Sequence, residues 1–175
     1  SHCLKEKQPF ARQYSMNVAE TASTFAEPIV ADALVAEADD KQLKLSLLEN
    51  KISRALAFFM NIHARFLFET RFYEARKKKS LSAEELNALM EEAQREAYGN
   101  QLSEYSPSFW ASKLHFHITH VPFYNFPYTF GYLFSLGIYK QATDVGGSFE
   151  QAYISLLEDT ASMTVEDLAQ KHLQA

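Results

Sequence analysis

The chain has 175 residues, 47% of them apolar and 22% charged, and a net charge of −5, which suffices for one well-buried core or for one piece of a larger protein. Lys77-Lys78-Lys79 is the only basic run, so the electrostatic footprint of a nucleic-acid binder is missing. With a single Cys3, no 18-residue apolar span and no signal-peptide pattern, the sequence predicts a protein of the reducing cytoplasm, with no internal disulfide and no membrane contact.

Low glycine and proline content, five of each, and long apolar periodicities predict an all-α fold, with residues 1–175 forming a single helical unit. A first helix is expected from about Ser15 to Ala38, with an apolar face of Met16, Ala19, Phe25 and Ile29. Pro28 is expected to kink or interrupt it, because proline removes a backbone donor and clashes with the preceding turn. Asp39 and Asp40 then open a second helix that runs on to Arg76. Its Phe58, Phe59, Phe66, Phe68 and Phe72 cover too much of the circumference for a surface helix, so it should be largely buried, with His63 in the core or at an interface. A third helix is punctuated by the capping box Ser82-Ala83-Glu84-Glu85 and by Gly99 as a left-handed terminator. Its face of Leu86, Leu89, Met90 and Ala93 marks it as an amphipathic cover. After a loop at Ser106-Pro107 come an aromatic block from Phe109 to Tyr139, a break at Gly146-Gly147, and two final helices that start near Ser148 and Thr164.

Two constellations carry possible chemistry. The first is S-M-N-V-A-E-T-A-S-T-F-A-E-P, residues 15–28, where Glu20 and Glu27 stand seven apart and therefore on one helical face, with Ser23 and Thr24 between them. Such a face is either solvated or a pair of carboxylates that serves a metal directly and through a supporting contact, since a buried carboxylate needs a partner. The second is L-H-F-H-I-T-H-V-P-F-Y-N-F-P-Y-T-F-G-Y, residues 114–132. It holds three histidines and then Tyr124, Tyr128 and Tyr132 at four-residue steps, which share a face if the chain winds into a helix after Pro122. Clustered phenol and imidazole donors suit either a core boundary or the stabilisation of an oxyanion.

The stretch Y-S-M-N-V-A-E-T-A-S-T-F-A-E resembles a segment that follows the active-site helix in the oligoendopeptidase F and thimet oligopeptidase family of zinc metallopeptidases. The block H-F-H-I-T-H-V-P-F-Y-N-F-P-Y-T-F-G-Y-L-F-S resembles the family's C-terminal, substrate-side segment, and the two occur in the family's order. This resemblance implies a helical peptidase domain acting on short peptides, with Zn2+ held by the two histidines of an H-E-x-x-H motif and one downstream glutamate. None of the six histidines here is followed by Glu, and the opening S-H-C-L-K-E-K-Q-P-F-A-R-Q-Y reads like the family's sequence just after that motif. The chain is therefore expected to be a C-terminal portion, inactive alone, whose partner is the remainder of the peptidase domain.

Matched to the family pattern E-x-x-S, Glu20 takes the place of the third zinc ligand and Glu27 that of an acidic residue orienting a ligand histidine. His115 matches the histidine that contacts substrate and transition state, with His120 as its alternative. Tyr128 and Tyr132 match the phenol that donates to the tetrahedral oxyanion, with Tyr124 behind them on the substrate side. His117 is assigned a structural role. An isolated portion would expose apolar faces and self-associate. Two other readings stand beside this one: a helical binding module without chemistry, and a bundle that holds its own metal with Glu20, Glu27 and histidines.

Overall fold

In the computed structural model, the apolar periodicities resolve into seven α-helices among the described residues: α1 (Thr21–Glu37), α2 (Lys41–Leu56), α3 (Ile62–Arg76), α4 (Ala83–Ala97), α5 (Phe126–Val145), α6 (Phe149–Asp159) and α7 (Val165–Leu173). No strand occurs among those residues, so the fold is all-α as expected. Residues 2–173 are described, apart from the side chain of Ser148; Ser1, Gln174 and Ala175, part of the expected 1–175 unit, lie outside the described residues.

Local chemistry sets the ends of these helices. Ser82 accepts the Glu85 N–H at 3.3 Å while the Glu85 carboxylate accepts the Ser82 N–H at 2.9 Å, so two orphan donors of α4 are satisfied reciprocally. At the other end the Gly99 N–H bonds to the Glu96 carbonyl and the Asn100 N–H to the Arg95 carbonyl, with Gly99 and Asn100 both at φ 57°. Asp40 caps α2 by accepting the Leu43 N–H at 2.6 Å. Thr164 starts α7 by accepting the Asp167 N–H at 3.2 Å, and its hydroxyl in turn donates to the Asp167 carboxylate at 2.9 Å.

Three expectations are corrected. The first helix starts at Thr21, after a separate 3-10 turn at Met16–Val18, and it continues without interruption through Pro28. Of its expected apolar face only Phe25 is buried; Met16 and Ile29 are exposed. The expected second helix is two, because a π-helical turn at Ala57–Asn61 separates α2 from α3. Thr129 donates to the Phe58 carbonyl within that turn at 2.6 Å, so the loosened backbone is tied by a side chain. No residue of α2 is buried, and Ile52 is 62% exposed: burial starts only in α3, and even there His63 is exposed.

The chain divides into two compact units, Ser1–Leu48 with Phe130–Ala175, and Glu49–Thr129. In the first, Val18 and Phe25 pack with Phe134, Ile138, Phe149, Leu156 and Leu168, each fully buried aliphatic or aromatic side chain contributing about 1.5–3 kcal/mol. In the second, α3 and α4 pack through Phe68, Met90 and Ala93, and the expected cover face of α4 is realised, with Met90 and Ala93 fully buried. The turn at Pro107–Ser112 is clamped to α4. Gln94 donates to the Ser106 carbonyl at 2.8 Å and accepts the Ser106 N–H at 3.1 Å, while the Trp110 indole donates to Asn87 at 2.9 Å. No described helix is long and apolar enough to cross a membrane.

Candidate functional site

The candidate residues fall in both units, Glu20, Glu27 and Tyr132 in the first, His115, His120, Tyr124 and Tyr128 in the second. In the first unit Glu20 is the N-cap residue of α1, with φ −93° and ψ −4°. The Ser23 hydroxyl lies 3.0 Å from its carboxylate and 2.9 Å from its carbonyl. Thr24, buried, reaches the Glu20 carbonyl at 2.7 Å and the Gly131 carbonyl of α5 at 3.1 Å. The Glu20 backbone is therefore pinned from both sides while its side chain is half-buried. Two turns further on, Glu27 is also half-buried, so neither carboxylate sits on a fully solvated face. Tyr132, on α5, is half-buried.

The second unit holds a train of rings. His115, in a 3-10 turn at Leu114–His117, stacks on Tyr124 with centroids 6.2 Å apart, and Tyr124 meets Tyr128 edge-on at 6.2 Å. Tyr124 precedes α5, so only Tyr128 and Tyr132 share that helix, and the three-tyrosine helical stripe is corrected to two. His120 is exposed, as is His117. Burial, with the neighbouring charges of Arg65, Lys113 and His117, lowers the His115 pKa from its ordinary 6.5 to about 4. At neutral pH this imidazole is an uncharged hydrogen-bonding group.

Arg65 and Asn125 were not singled out by sequence reasoning, although a cation inside the aromatic run A-R-F-L-F was the available signal. Arg65 donates to the Asn125 amide oxygen at 3.1 Å and lies over the Phe109 ring at 5.1 Å. Among the described residues of this unit four buried polar atoms have no hydrogen-bond partner, Arg71 Nη1 and, around the Arg65–Asn125 pair, Arg65 Nε, Asn125 Nδ2 and His115 Nε2. Buried polar atoms are normally satisfied, so this corner presents hydrogen-bonding capacity that a peptide group or water can use.

The resemblance implies zinc, but the described residues include no group of three or more His, Cys, Asp or Glu able to hold a metal ion. Glu20 offers one carboxylate oxygen, which is not a ligand set, so the self-sufficient metal bundle has no geometric support among the described residues. Neither the curated proteins nor the solved structures gave a significant match. The family description "Peptidase family M3" matches residues 3–174, nearly the whole chain, and the chain therefore belongs to this family of metallopeptidases.

Proposed function

We propose that this chain is the C-terminal portion of a zinc-dependent oligoendopeptidase that hydrolyses short peptides, residues 1–175 forming one part of its catalytic domain in the cytoplasm. The observation that carries the reading is the family match over residues 3–174 in a chain whose histidines never form H-E-x-x-H. In this reading Glu20 gives one carboxylate oxygen to a zinc whose histidines stand on residues other than these. Glu27 orients one of those histidines. Its half-burial and the backbone clamp at Glu20 support the assignment, because a ligand is useful only where its approach is fixed.

The neutral state of His115 supports its role as a hydrogen-bond donor to substrate and tetrahedral oxyanion, with Tyr128 or Tyr132 giving a phenolic hydrogen bond to the same developing charge. Tyr124, stacked on His115, and His120 line the substrate side. The remaining open donors at Arg65 and Asn125 suit a peptide backbone.

The test is a fluorogenic short-peptide assay of the chain alone and together with a segment bearing the H-E-x-x-H helix, with zinc content measured per mole of protein. Activity and one zinc in the combination, both absent from the chain alone, is the expected result. Stoichiometric zinc in the chain alone overturns the shared-site reading. A combination that assembles with neither zinc nor activity leaves the helical binding module as the better account. In an active combination Glu20→Gln should lower zinc affinity, a neutral oxygen replacing a charged one, and Glu27→Ala should lower it about 10- to 100-fold.

A further inference from the structure

Within the second unit a cavity of about 150 Å³ is walled by Phe68, Phe72, Tyr73, Leu86, Trp110 and Phe116, with the His117 imidazole at its lining and Glu69 the one carboxylate among the described residues that line it. A void of this size accommodates about one small ring or one side-chain end. Glu69 is only 6% exposed. Its carboxylate accepts the Phe123 N–H at 2.7 Å and a hydrogen bond from the Tyr73 side chain. Yet no ion pair among the described residues includes it. Burial raises its pKa against the pull of those two hydrogen bonds. A buried carboxylate without a cation is an expensive feature, and aromatic walls attract cations through their ring faces.

We propose that this cavity is a binding site for an alkylammonium group, the cation charge-paired with Glu69 and its carbons packed against Phe68, Phe72, Tyr73, Trp110 and Phe116. The ammonium protons would use lone pairs of the carboxylate that Phe123 and Tyr73 leave open. The same chemistry is offered by a lysine side chain of a polypeptide and by a free small amine. The proposal is independent of the peptidase reading, since none of the residues assigned to hydrolysis takes part.

Trp110 is the single tryptophan of the chain, so its emission reports occupancy of the cavity without a label. The chain is titrated with n-butylammonium, with Nα-acetyl-lysine amide, and with n-butanol as the neutral match. A saturable change with the amines is expected, at least about tenfold tighter than with n-butanol and weakened about tenfold by Glu69→Gln. Leu86→Phe, which fills the cavity from one wall, should abolish the change. No saturable response to either amine, an equal response to n-butanol, or undiminished amine binding in Glu69→Gln overturns the site. Should Glu69→Gln fail to fold, undiminished binding in a folded Leu86→Phe overturns it equally. Acetyl-lysine amide binding as tightly as n-butylammonium identifies a polypeptide lysine as the source, and binding of n-butylammonium alone identifies a free amine.

Discussion

Gly131 lies directly against Glu20: a Cβ at position 131 would stand 3.3 Å from the Glu20 Cβ and 3.4 Å from its carbonyl carbon. Glycine is favoured here by close approach, since a Cβ would press on the backbone of Glu20 and Thr21, which yields less readily than a side-chain end. Gly131→Ala gains helix propensity worth about 1 kcal/mol and loses about 1–3 kcal/mol to overpacking. We expect a net destabilisation of about 1 kcal/mol, read as a lowered urea midpoint with an unchanged slope. Gly131→Val should lower it further.

The end of α6 is fastened to α7 by an ion cluster. Asp159 accepts from Lys171 Nζ at 2.7 Å and lies 2.9 Å from His172 Nε2. Burial alone would raise the Asp159 pKa, but the hydrogen bonds from Lys171 and His172 and their charges outweigh it and hold the carboxyl below its ordinary 3.8. A depressed carboxylate contributes stability that is full above the unfolded pKa and is lost as pH falls through the folded one. Stability from this cluster should therefore persist down to about pH 4 and decline below it. Asp159→Asn should cost about 1 kcal/mol at pH 7 and flatten the acid limb of a thermal-midpoint profile.

Elements governed by nearest neighbours were legible in the sequence, and those governed by distant partners were not. Ser82, Glu85 and Gly99 fixed both ends of α4 because a cap needs only residues three or four apart. The exposure of α2 was hidden, since its leucines read alike whether or not another element covers them. The split at Ala57–Asn61 was hidden as well, because a π turn keeps the apolar pattern and changes only the hydrogen-bond register. Among the candidate residues the sequence pointed to Glu20 in the first unit and His115 in the second. It missed Arg65, whose partner Asn125 is sixty residues away, and, in the separate aromatic cavity, Glu69, whose acceptor role depends on Phe123 at a left-handed φ of 54°.

His115 gives a pH signature opposite in origin to that of Asp159. Its folded pKa of about 4 lies below the ordinary 6.5, through burial first and the Arg65, Lys113 and His117 charges second. Between these values the unfolded chain binds a proton that the folded chain refuses, so stability is full above about pH 6.5 and falls as pH drops toward 4. Allowing for solvent screening, the loss should be about 1–2 kcal/mol. An NMR titration should show the His115 ring neutral at pH 5.5, and His115→Phe should remove this part of the slope. A His115 midpoint near 6.5 would show that the ring is not held neutral by its surroundings.

The tyrosine assignment makes the sharpest kinetic demand. Tyr128 sits at the end of the ring train that runs from His115 through Tyr124, and Tyr132 follows it one turn later on α5. A phenol that donates to an oxyanion interacts with charge present only in the transition state, so its removal should lower kcat with little change in KM. Phenylalanine keeps the ring and its packing, so the substitution isolates the hydroxyl. Loss of one such donor is worth roughly 10²- to 10³-fold in rate at comparable sites. A hydroxyl that only serves packing should leave kcat within about twofold, its loss showing as a lower thermal midpoint worth about 1 kcal/mol. We expect Tyr128→Phe or Tyr132→Phe, introduced into the active peptidase and assayed on a short fluorogenic peptide, to show the first pattern. If both keep wild-type kcat and only the midpoint moves, the tyrosines are structural, and the oxyanion contact falls to His115 alone.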